Sequence, residues 1–178
     1  MGLLDTLQSE GQRRGLRFVV IGGYAVMAHG FTRSTYDLDL LIRRSDKAAW
    51  RALLEDQGFG VCREGPTFLQ FDSGSSPTLP LDLMLVGDET FEQMVASAVS
   101  VEVEGGLVAV VSLIHLVALK CHAIRYGGAR RAVKDTEDLI RLIQTNRVNV
   151  ADEPFRATIL KHGTAELYDK LLRATAPE

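Results

Sequence analysis

Short apolar runs separated by polar and glycine-containing turns predict a small β-sheet in the first two thirds of the chain. The runs are Phe18–Ile21, a second run that carries Asp37 and Asp39 and ends at Ile42, Phe59–Cys62, Thr67–Phe71, Leu81–Val86, Val99–Glu104 and Leu107–Val111. The turns Arg63–Pro66 and Gly105–Gly106 join two pairs of runs and predict two hairpins.

Apolar residues at helical spacing predict helices between and after these strands. The clearest signal follows Ser45 and Asp46, which can cap a helix from Lys47 to about Gln57 before Gly58 stops it. The other predicted helices are a short one from Leu3, Tyr24–His29, Leu113 to about Tyr126, Arg130–Gln144 and two short helices after Ala151. The last third of the sequence is therefore expected to be helical.

Composition narrows the class of protein. The 178 residues are 46% hydrophobic and 24% charged, with a net charge of −3 and a pI near 5.8, so no global positive field attracts nucleic acid. The two cysteines, Cys62 and Cys121, have no ligand-like spacing. Together with the absence of a signal-peptide pattern or a membrane-length apolar run, this predicts a reduced, cytoplasmic protein with no membrane partner.

Two acidic residues interrupt the second apolar run. Side chains at i and i+2 of a strand point to the same side, so Asp37 and Asp39 are expected to stand together. Two carboxylates at this separation repel each other unless a cation or a proton lies between them. A divalent metal is the simplest explanation, and Mg²⁺ prefers such hard oxygen ligands. Considered alone, a solvated strand edge is the alternative.

A glycine pair, Gly22 and Gly23, lies between the first strand and the helix after it. Such a turn lets the backbone approach a ligand closely, and the free N–H groups at a helix N-terminus favour an anion such as phosphate. The pair therefore predicts a phosphate cradle beside the two carboxylates. A turn with no ligand is the alternative.

Two charged residues stand in apolar surroundings further along the chain. Asp82 lies in the run Leu81–Val86, and it becomes a third carboxylate of the cluster if that strand pairs with the Asp37–Asp39 strand. A solvent-facing strand residue is the alternative. Lys120, in the apolar helix, either projects toward a cleft or lies at a helix edge with its stem on apolar surface.

The order of these features resembles the nucleotidyltransferase superfamily with the DNA-polymerase-β-like fold, and within it the AbiEii-type group, which includes toxins of toxin–antitoxin pairs. The shared pattern is a glycine pair, Arg-x-Thr-x-Asp-x-Asp, a lone strand aspartate and Lys-Asp-x-x-Asp, spread over Val19 to Leu142. The matching residues are Gly22, Gly23, Arg33, Thr35, Asp37, Asp39, Asp82, Lys134, Asp135 and Asp138.

This resemblance implies an α/β (α+β) fold, with a mixed β-sheet catalytic core flanked by helices over residues 1–111. The helical portion over residues 112–178 is expected to pack on that core. The implied reaction is attack of a hydroxyl on the α-phosphate of a nucleoside triphosphate, with release of pyrophosphate and with two Mg²⁺ ions about 4 Å apart. Asp37 and Asp39 would bridge both ions. Asp82 would hold the catalytic ion and help to deprotonate the hydroxyl.

The resemblance also implies the nucleotide contacts. The amides of Gly22 and Gly23 would cradle the β- and γ-phosphates, and Thr35 belongs to the same nucleotide-binding set. Arg33 and Lys134 would neutralise triphosphate or acceptor charge, the guanidinium as a bidentate donor and the ammonium as a point charge.

Three positions of the pattern leave questions open. The superfamily commonly has a serine where this chain has Gly23, and that serine hydroxyl usually helps to hold a terminal phosphate. Asp135 either orients Lys134 or caps its helix, and Asp138 is expected to be structural.

The expected activity is transfer of a nucleoside monophosphate to a hydroxyl acceptor, and three functions follow from it. An RNA end as acceptor fits the toxin-like resemblance and the basic segment Arg125–Lys134, with an antitoxin protein as the expected partner. A protein is a further acceptor that stays open. A small-molecule acceptor, such as an aminoglycoside or lincosamide antibiotic, fits the compact size and the acidic pI. A catalytically inactive nucleotide-binding or partner-binding module, with Gly23 as its mark, is the non-enzymatic alternative.

Overall fold

The computed structural model describes residues 2–74, 79–103 and 106–176, without the side chain of Arg130. The chain forms two compact units. The first, which we call the sheet unit, consists of Met1–Ala25 and Ser34–Val111. The second, the helical unit, consists of Val26–Arg33 and Ser112–Glu178. The assignment of residues 1–111 as a catalytic core and of 112–178 as a helical portion packed on it stays a prediction.

The described residues of the sheet unit form one seven-stranded mixed sheet. Its strands are β1 (Val19–Val20), β2 (Leu38–Arg43), β3 (Gly60–Gly65), β4 (Phe68–Asp72), β5 (Leu81–Val86), β6 (Val99–Val103) and β7 (Gly106–Val110). Their order across the sheet is β3-β4-β5-β2-β1-β7-β6. The pairs β2–β5 and β1–β7 are parallel and the other neighbours are antiparallel. The predicted mixed sheet is thus confirmed, while the predicted positions Glu104 and Gly105 lie outside the described residues.

Buried and half-exposed residues alternate strictly along β5, so the two faces of this strand differ in burial. Leu81, Leu83 and Leu85 are buried, whereas Asp82 and the other intervening residue positions are half-exposed. Burial of a leucine side chain contributes about 1.5–3 kcal/mol, so a slip of one residue would expose three such side chains and is strongly disfavoured. The apolar face therefore fixes where the acidic residue of this strand points.

Among the described residues, four α-helices begin in the sheet unit: α1 (Leu3–Arg13), α2 (Gly22–Ala28), α3 (Lys47–Asp56) and α4 (Asp88–Ala96). The helices α1 and α3 agree with the prediction, and α3 buries Trp50, Leu53 and Leu54. The helix α2 begins at Gly22 rather than at the predicted Tyr24, so it includes the glycine pair that was expected to precede it. The sequence analysis assigned no helix to α4, since only Phe91 and Met94 mark its buried side. The ring of Phe91 has the guanidinium carbons of two arginines 5.2 and 5.5 Å from its centre, a tertiary contact that no local pattern shows.

The helical unit contains α5 (Leu113–Tyr126), α6 (Ala129–Thr145), α7 (Phe155–His162) and α8 (Ala165–Ala174), close to their predicted bounds. Apolar residues from all four helices form its core, among them Val117, Leu139, Ile159 and Leu171. Cys121 lies in this core, where burial raises the pKa of its thiol to about 12 and keeps it protonated. No helix among the described residues is long and apolar enough to cross a membrane.

A buried ionic cluster joins α5, α6 and the Val26–Arg33 segment inside the helical unit. Lys120 is only 7% exposed, and its ammonium donates to Asp135 Oδ1 at 2.5 Å and to Asp138 Oδ2 at 2.7 Å. Arg33 adds a bidentate contact, with Nε 2.7 Å from Asp138 Oδ1 and a terminal nitrogen 2.9 Å from Oδ2. The interpretation of Lys120 as a helix-edge lysine is wrong, because the two α6 carboxylates compensate its charge inside the protein.

We expect Lys120→Met to destabilise the protein by about 3–5 kcal/mol, because it leaves Asp135 and Asp138 buried with one cation fewer. Urea denaturation monitored by circular dichroism measures this loss. Lys170→Met on α8, where the lysine is exposed, is the matched control and should change the free energy of unfolding by less than about 0.5 kcal/mol. Equal stability of the two variants would show that the cluster does not contribute as described.

The same cluster predicts a pH dependence. Burial alone would raise the pKa of Asp138, but the hydrogen bond from Arg33 and the charge of Lys120 outweigh it and hold the pKa below its ordinary value of 3.8. A carboxyl whose pKa is lower in the folded state stabilises the fold above the ordinary pKa and loses this contribution as pH falls through the folded-state pKa.

Asp138→Asn should therefore be less stable than the wild type at pH 7, and the difference should shrink below about pH 4 as the wild-type carboxyl becomes protonated. Urea unfolding at a series of pH values between about 3 and 7 gives the two curves. A stability difference that stays constant across this range would contradict the assignment.

Candidate functional site

Three carboxylates converge in the sheet unit. Asp37, Asp39 and Asp82 are each half-buried, and one carboxylate oxygen from each lies within 4.8 Å of the others. The structure thus brings together the acidic residues that the sequence placed on two separate strands. Their roles as catalytic residues and metal ligands stay predictions, as do those of the nucleotide-binding residues.

The register of the central strands produces this convergence. Asp39 of β2 is the direct parallel partner of Asp82 of β5, and Asp37 precedes β2 by one residue. The backbone N–H of Leu38 donates to the carbonyl of Pro80 at 2.9 Å, which extends the pairing to the ends of both strands. The acidic side chains face away from the buried leucines because strand side chains alternate between faces.

Two neutral side chains donate hydrogen bonds to the cluster. The hydroxyl of Thr35 donates to Asp37 Oδ1 at 2.9 Å, and the amide of Gln70 on β4 donates to Asp82 Oδ2 at 2.7 Å. Sequence reasoning included Thr35 but missed Gln70. A signal existed, since Gln70 is the polar position between the buried Leu69 and Phe71, but its partner strand could not be read from the sequence.

The turn after β1, by which we mean Ile21 and the first two residues of α2, lies directly against Asp39. The backbone N–H of Ile21 donates to the carbonyl of Asp39 at 3.0 Å, and Gly22 has a φ of +63°. A Cβ on Gly22 would lie 2.6 Å from the Cβ of Asp39 and closer still to its carboxylate. Glycine is therefore required at this position for two reasons: the backbone has a positive φ, and Asp39 fills the space that a side chain would occupy.

The packing of Thr35 leaves no room for a side chain at Gly23. A Cβ on Gly23 would lie 2.7 Å from the Cβ of Thr35 and nearer to its hydroxyl. The place of a side chain at position 23 is therefore taken by the Thr35 side chain. Packing against Thr35 therefore accounts for a residue without a side chain at position 23.

The other predicted contacts lie in the helical unit. Arg33 is paired with Asp138, as described above, and Lys134 is exposed on α6. The capping role considered for Asp135 is wrong, because Asp135 lies inside α6 rather than at its N-cap. It accepts from Lys120, and Arg131 lies 3.4 Å from its second oxygen. Its role in orienting Lys134 stays a prediction. The structural role expected for Asp138 agrees with its ion pairs.

The acidic cluster fits a divalent cation. Two oxygens bound to one Mg²⁺ lie roughly 3–4 Å apart, because each Mg–O distance is about 2.1 Å and the geometry is octahedral. The separation within 4.8 Å requires only a small side-chain adjustment to reach this range. All three donors are hard carboxylate oxygens, which suit Mg²⁺ or Mn²⁺ rather than a metal that prefers nitrogen or sulfur.

We expect Gly23→Ala to lower stability by about 1–3 kcal/mol, because its methyl group overlaps Thr35. Gly60→Ala on β3 is the matched control, since nothing lies within 4 Å of a Cβ at that position. Thermal unfolding of both variants measures the difference.

The variant Gly23→Ala with Thr35→Gly removes the atoms that clash and should recover part of the loss, apart from the entropic cost of the new glycine. If adding Thr35→Gly lowers stability to the same extent in the wild type and in Gly23→Ala, the two positions are not in contact.

No protein-family model matches the sequence, and no curated protein matches it significantly. Solved structures do match. An antigenic nucleotidyltransferase-like protein from Paracoccidioides brasiliensis has a TM-score of 0.57 and 17% identity, over 99% of this chain and 93% of that one. The antibiotic-resistance factor ANT(2″)-Ia has a TM-score of 0.52 and 20% identity, over 97% and 88%.

The lincomycin-bound lincosamide antibiotic adenylyltransferase LnuA has a TM-score of 0.52 and 11% identity, over 97% of this chain and 96% of that chain. These three proteins share the architecture over almost their entire length, although their sequences have diverged widely. The chain therefore has the fold of the nucleotidyltransferases.

Proposed function

We propose that the protein is a Mg²⁺-dependent nucleotidyltransferase that transfers a nucleoside monophosphate from a nucleoside triphosphate to a hydroxyl acceptor. The observation that carries this proposal is the convergence of Asp37, Asp39 and Asp82 beside the glycine turn after β1. Three carboxylates repel one another in the absence of a cation, so a sheet that holds them together suits a metal–triphosphate substrate.

The three acids divide two tasks in this mechanism. Asp37, Asp39 and Asp82 would together hold the metal, and Asp82 would also act on the acceptor hydroxyl. Bound Mg²⁺ would supply stabilisation of the attacking and leaving oxygens. The Asp82 carboxylate would accept the proton of the acceptor hydroxyl as that oxygen attacks the α-phosphate and pyrophosphate leaves.

The turn after β1 would bind the triphosphate tail. Asp39 packs against Gly22 and Thr35 packs against Gly23, and the backbone amides of the two glycines would contact the β- and γ-phosphates. The Thr35 hydroxyl donates to Asp37 and thereby supports the same site. The nucleotide-binding roles of Lys134, which is exposed on α6, and of Arg33, which is paired with Asp138, stay proposals.

A small molecule with a free hydroxyl is the acceptor that we favour. Two of the three structural neighbours named above are an antibiotic-resistance factor and an antibiotic adenylyltransferase, and the similarity covers nearly all of this chain and of theirs. The compact size and the negative net charge of −3 suit a cationic drug such as an aminoglycoside.

An RNA end or a protein is the second candidate acceptor. The AbiEii-type resemblance and the basic segment Arg125–Lys134 support it, and in that case an antitoxin protein would be expected as a partner. Incubation with each labelled triphosphate, in parallel with an antibiotic panel and with total RNA, distinguishes the two. Label on a drug supports the first acceptor, and label on RNA supports the second.

Asp39→Asn should abolish Mg²⁺-dependent binding of a non-hydrolysable nucleoside triphosphate while the fold stays intact. Calorimetric titration measures binding, and circular dichroism checks the fold. Asp169→Asn, an exposed carboxylate on α8, is the matched control and should bind like the wild type.

Equal binding by wild type and Asp39→Asn would overturn the site. Intact binding without pyrophosphate release on any acceptor would instead favour the inactive nucleotide-binding module.

A further inference from the structure

We infer that Gln70 is a positioning residue that fixes the orientation of Asp82 in the proposed metal site. This inference rests on the proposed function, and Gln70 is absent from the sequence pattern on which the resemblance depends. The residue lies in β4, one strand further from β2 than Asp82 itself.

Gln70, Asp82 and Asp39 form a row across three neighbouring strands. Gln70 is the direct antiparallel partner of Asp82, and Asp82 is the direct parallel partner of Asp39. Side chains of directly paired residues lie on the same face of a sheet, about 4.5–5.5 Å apart at Cβ. The amide is therefore held on the acidic face by the same register that brings the carboxylates together.

A hydrogen bond of 2.7 Å joins the side chains of Gln70 and Asp82. A carboxylate only accepts hydrogen bonds, so the amide nitrogen of Gln70 has to face Asp82 Oδ2. With Oδ2 held in this way, rotation of the half-buried carboxylate is restrained. Removing the donor takes away this restraint on the orientation that Asp82 presents to the other two acids.

The chemical type of the residue suits this task. A lysine or arginine at position 70 would neutralise Asp82 and weaken the attraction of the cluster for a cation. A glutamate would add a fourth negative charge next to three others. The neutral amide orients the carboxylate and leaves its charge in place, as Thr35 does for Asp37.

A solvent-facing strand residue is the plain alternative for Gln70, and metal binding separates the two. Mn²⁺ alone is the probe, with free Mn²⁺ measured by electron paramagnetic resonance. Gln70→Met keeps the length of the side chain and removes the donor. Loss of a hydrogen bond that orients a metal ligand typically weakens metal affinity by 10-fold or more, so we expect a rise of about 10-fold in the Kd for Mn²⁺.

The matched control is Gln93→Met on α4, which removes an exposed amide–carboxylate contact with Glu89 outside the site. Its Kd should equal that of the wild type. Gln70→Thr is the second variant in case Gln70→Met fails to fold, because threonine favours strands and is too short to reach Asp82.

A double-mutant cycle with Asp82→Asn tests positioning rather than general structure. If Gln70 acts through Asp82, Gln70→Met should not weaken Mn²⁺ binding further in the Asp82→Asn background. An equal loss in both backgrounds, or a Kd for Gln70→Met that matches the wild type, overturns the inference.

A failure of the proposed function would give a different set of Mn²⁺ affinities from a failure of the inference about Gln70. If wild type and Asp39→Asn bind Mn²⁺ equally, the acidic cluster is not a metal site, and both the proposed function and the role of Gln70 are overturned. If those two differ as expected and only the Gln70 variants behave like wild type, the proposed function stands and the inference about Gln70 falls.

Discussion

The sheet unit holds three carboxylates close together against their mutual repulsion, and the packing of its strands has to supply the free energy for this. Asp37, Asp39 and Asp82 have one oxygen each within 4.8 Å of the others, a separation that side chains free to move would avoid in the absence of a cation. The sheet prevents their separation because the same strands bury leucines on the opposite face. Apolar burial, together with the hydrogen bonds from Thr35 and Gln70, thus offsets the mutual repulsion of the three carboxylates.

Close packing around the turn after β1 completes this arrangement. Asp39 fills the space beside Gly22, and Thr35 fills the space beside Gly23. The backbone and these side chains can approach so closely because glycine has no Cβ. Thr35 also donates its hydroxyl to Asp37, so the residue that packs on Gly23 contacts the acidic cluster directly.

In the helical unit, buried carboxylates lie next to protein cations instead of next to one another. Lys120 and Arg33 meet Asp135 and Asp138 directly, so each carboxylate has a protein cation next to it. Such a cluster needs no metal and links two helices to the Val26–Arg33 segment. Lys-Asp-x-x-Asp in the sequence thus contains two acids with a structural task, in contrast to the acids on β2 and β5. Residue type alone does not distinguish these two uses of aspartate; the charge of the neighbouring side chains does.

The sequence by itself determined most of the elements and the acidic pair. Period-two alternation placed Asp37 and Asp39 on one face, and apolar stripes predicted helices such as α3 and α5, because these patterns depend only on local geometry. Tertiary structure decided what depends on strand order and on contacts between distant segments. The pairing of β5 with both β2 and β4 places Asp82 and Gln70 at the site. The packing of α5 against α6 brings Lys120 to its carboxylate partners. The buried ring of Phe91 on α4 contacts two arginines. These contacts join residues that are far apart in the chain, so they cannot be predicted from any short stretch of the sequence.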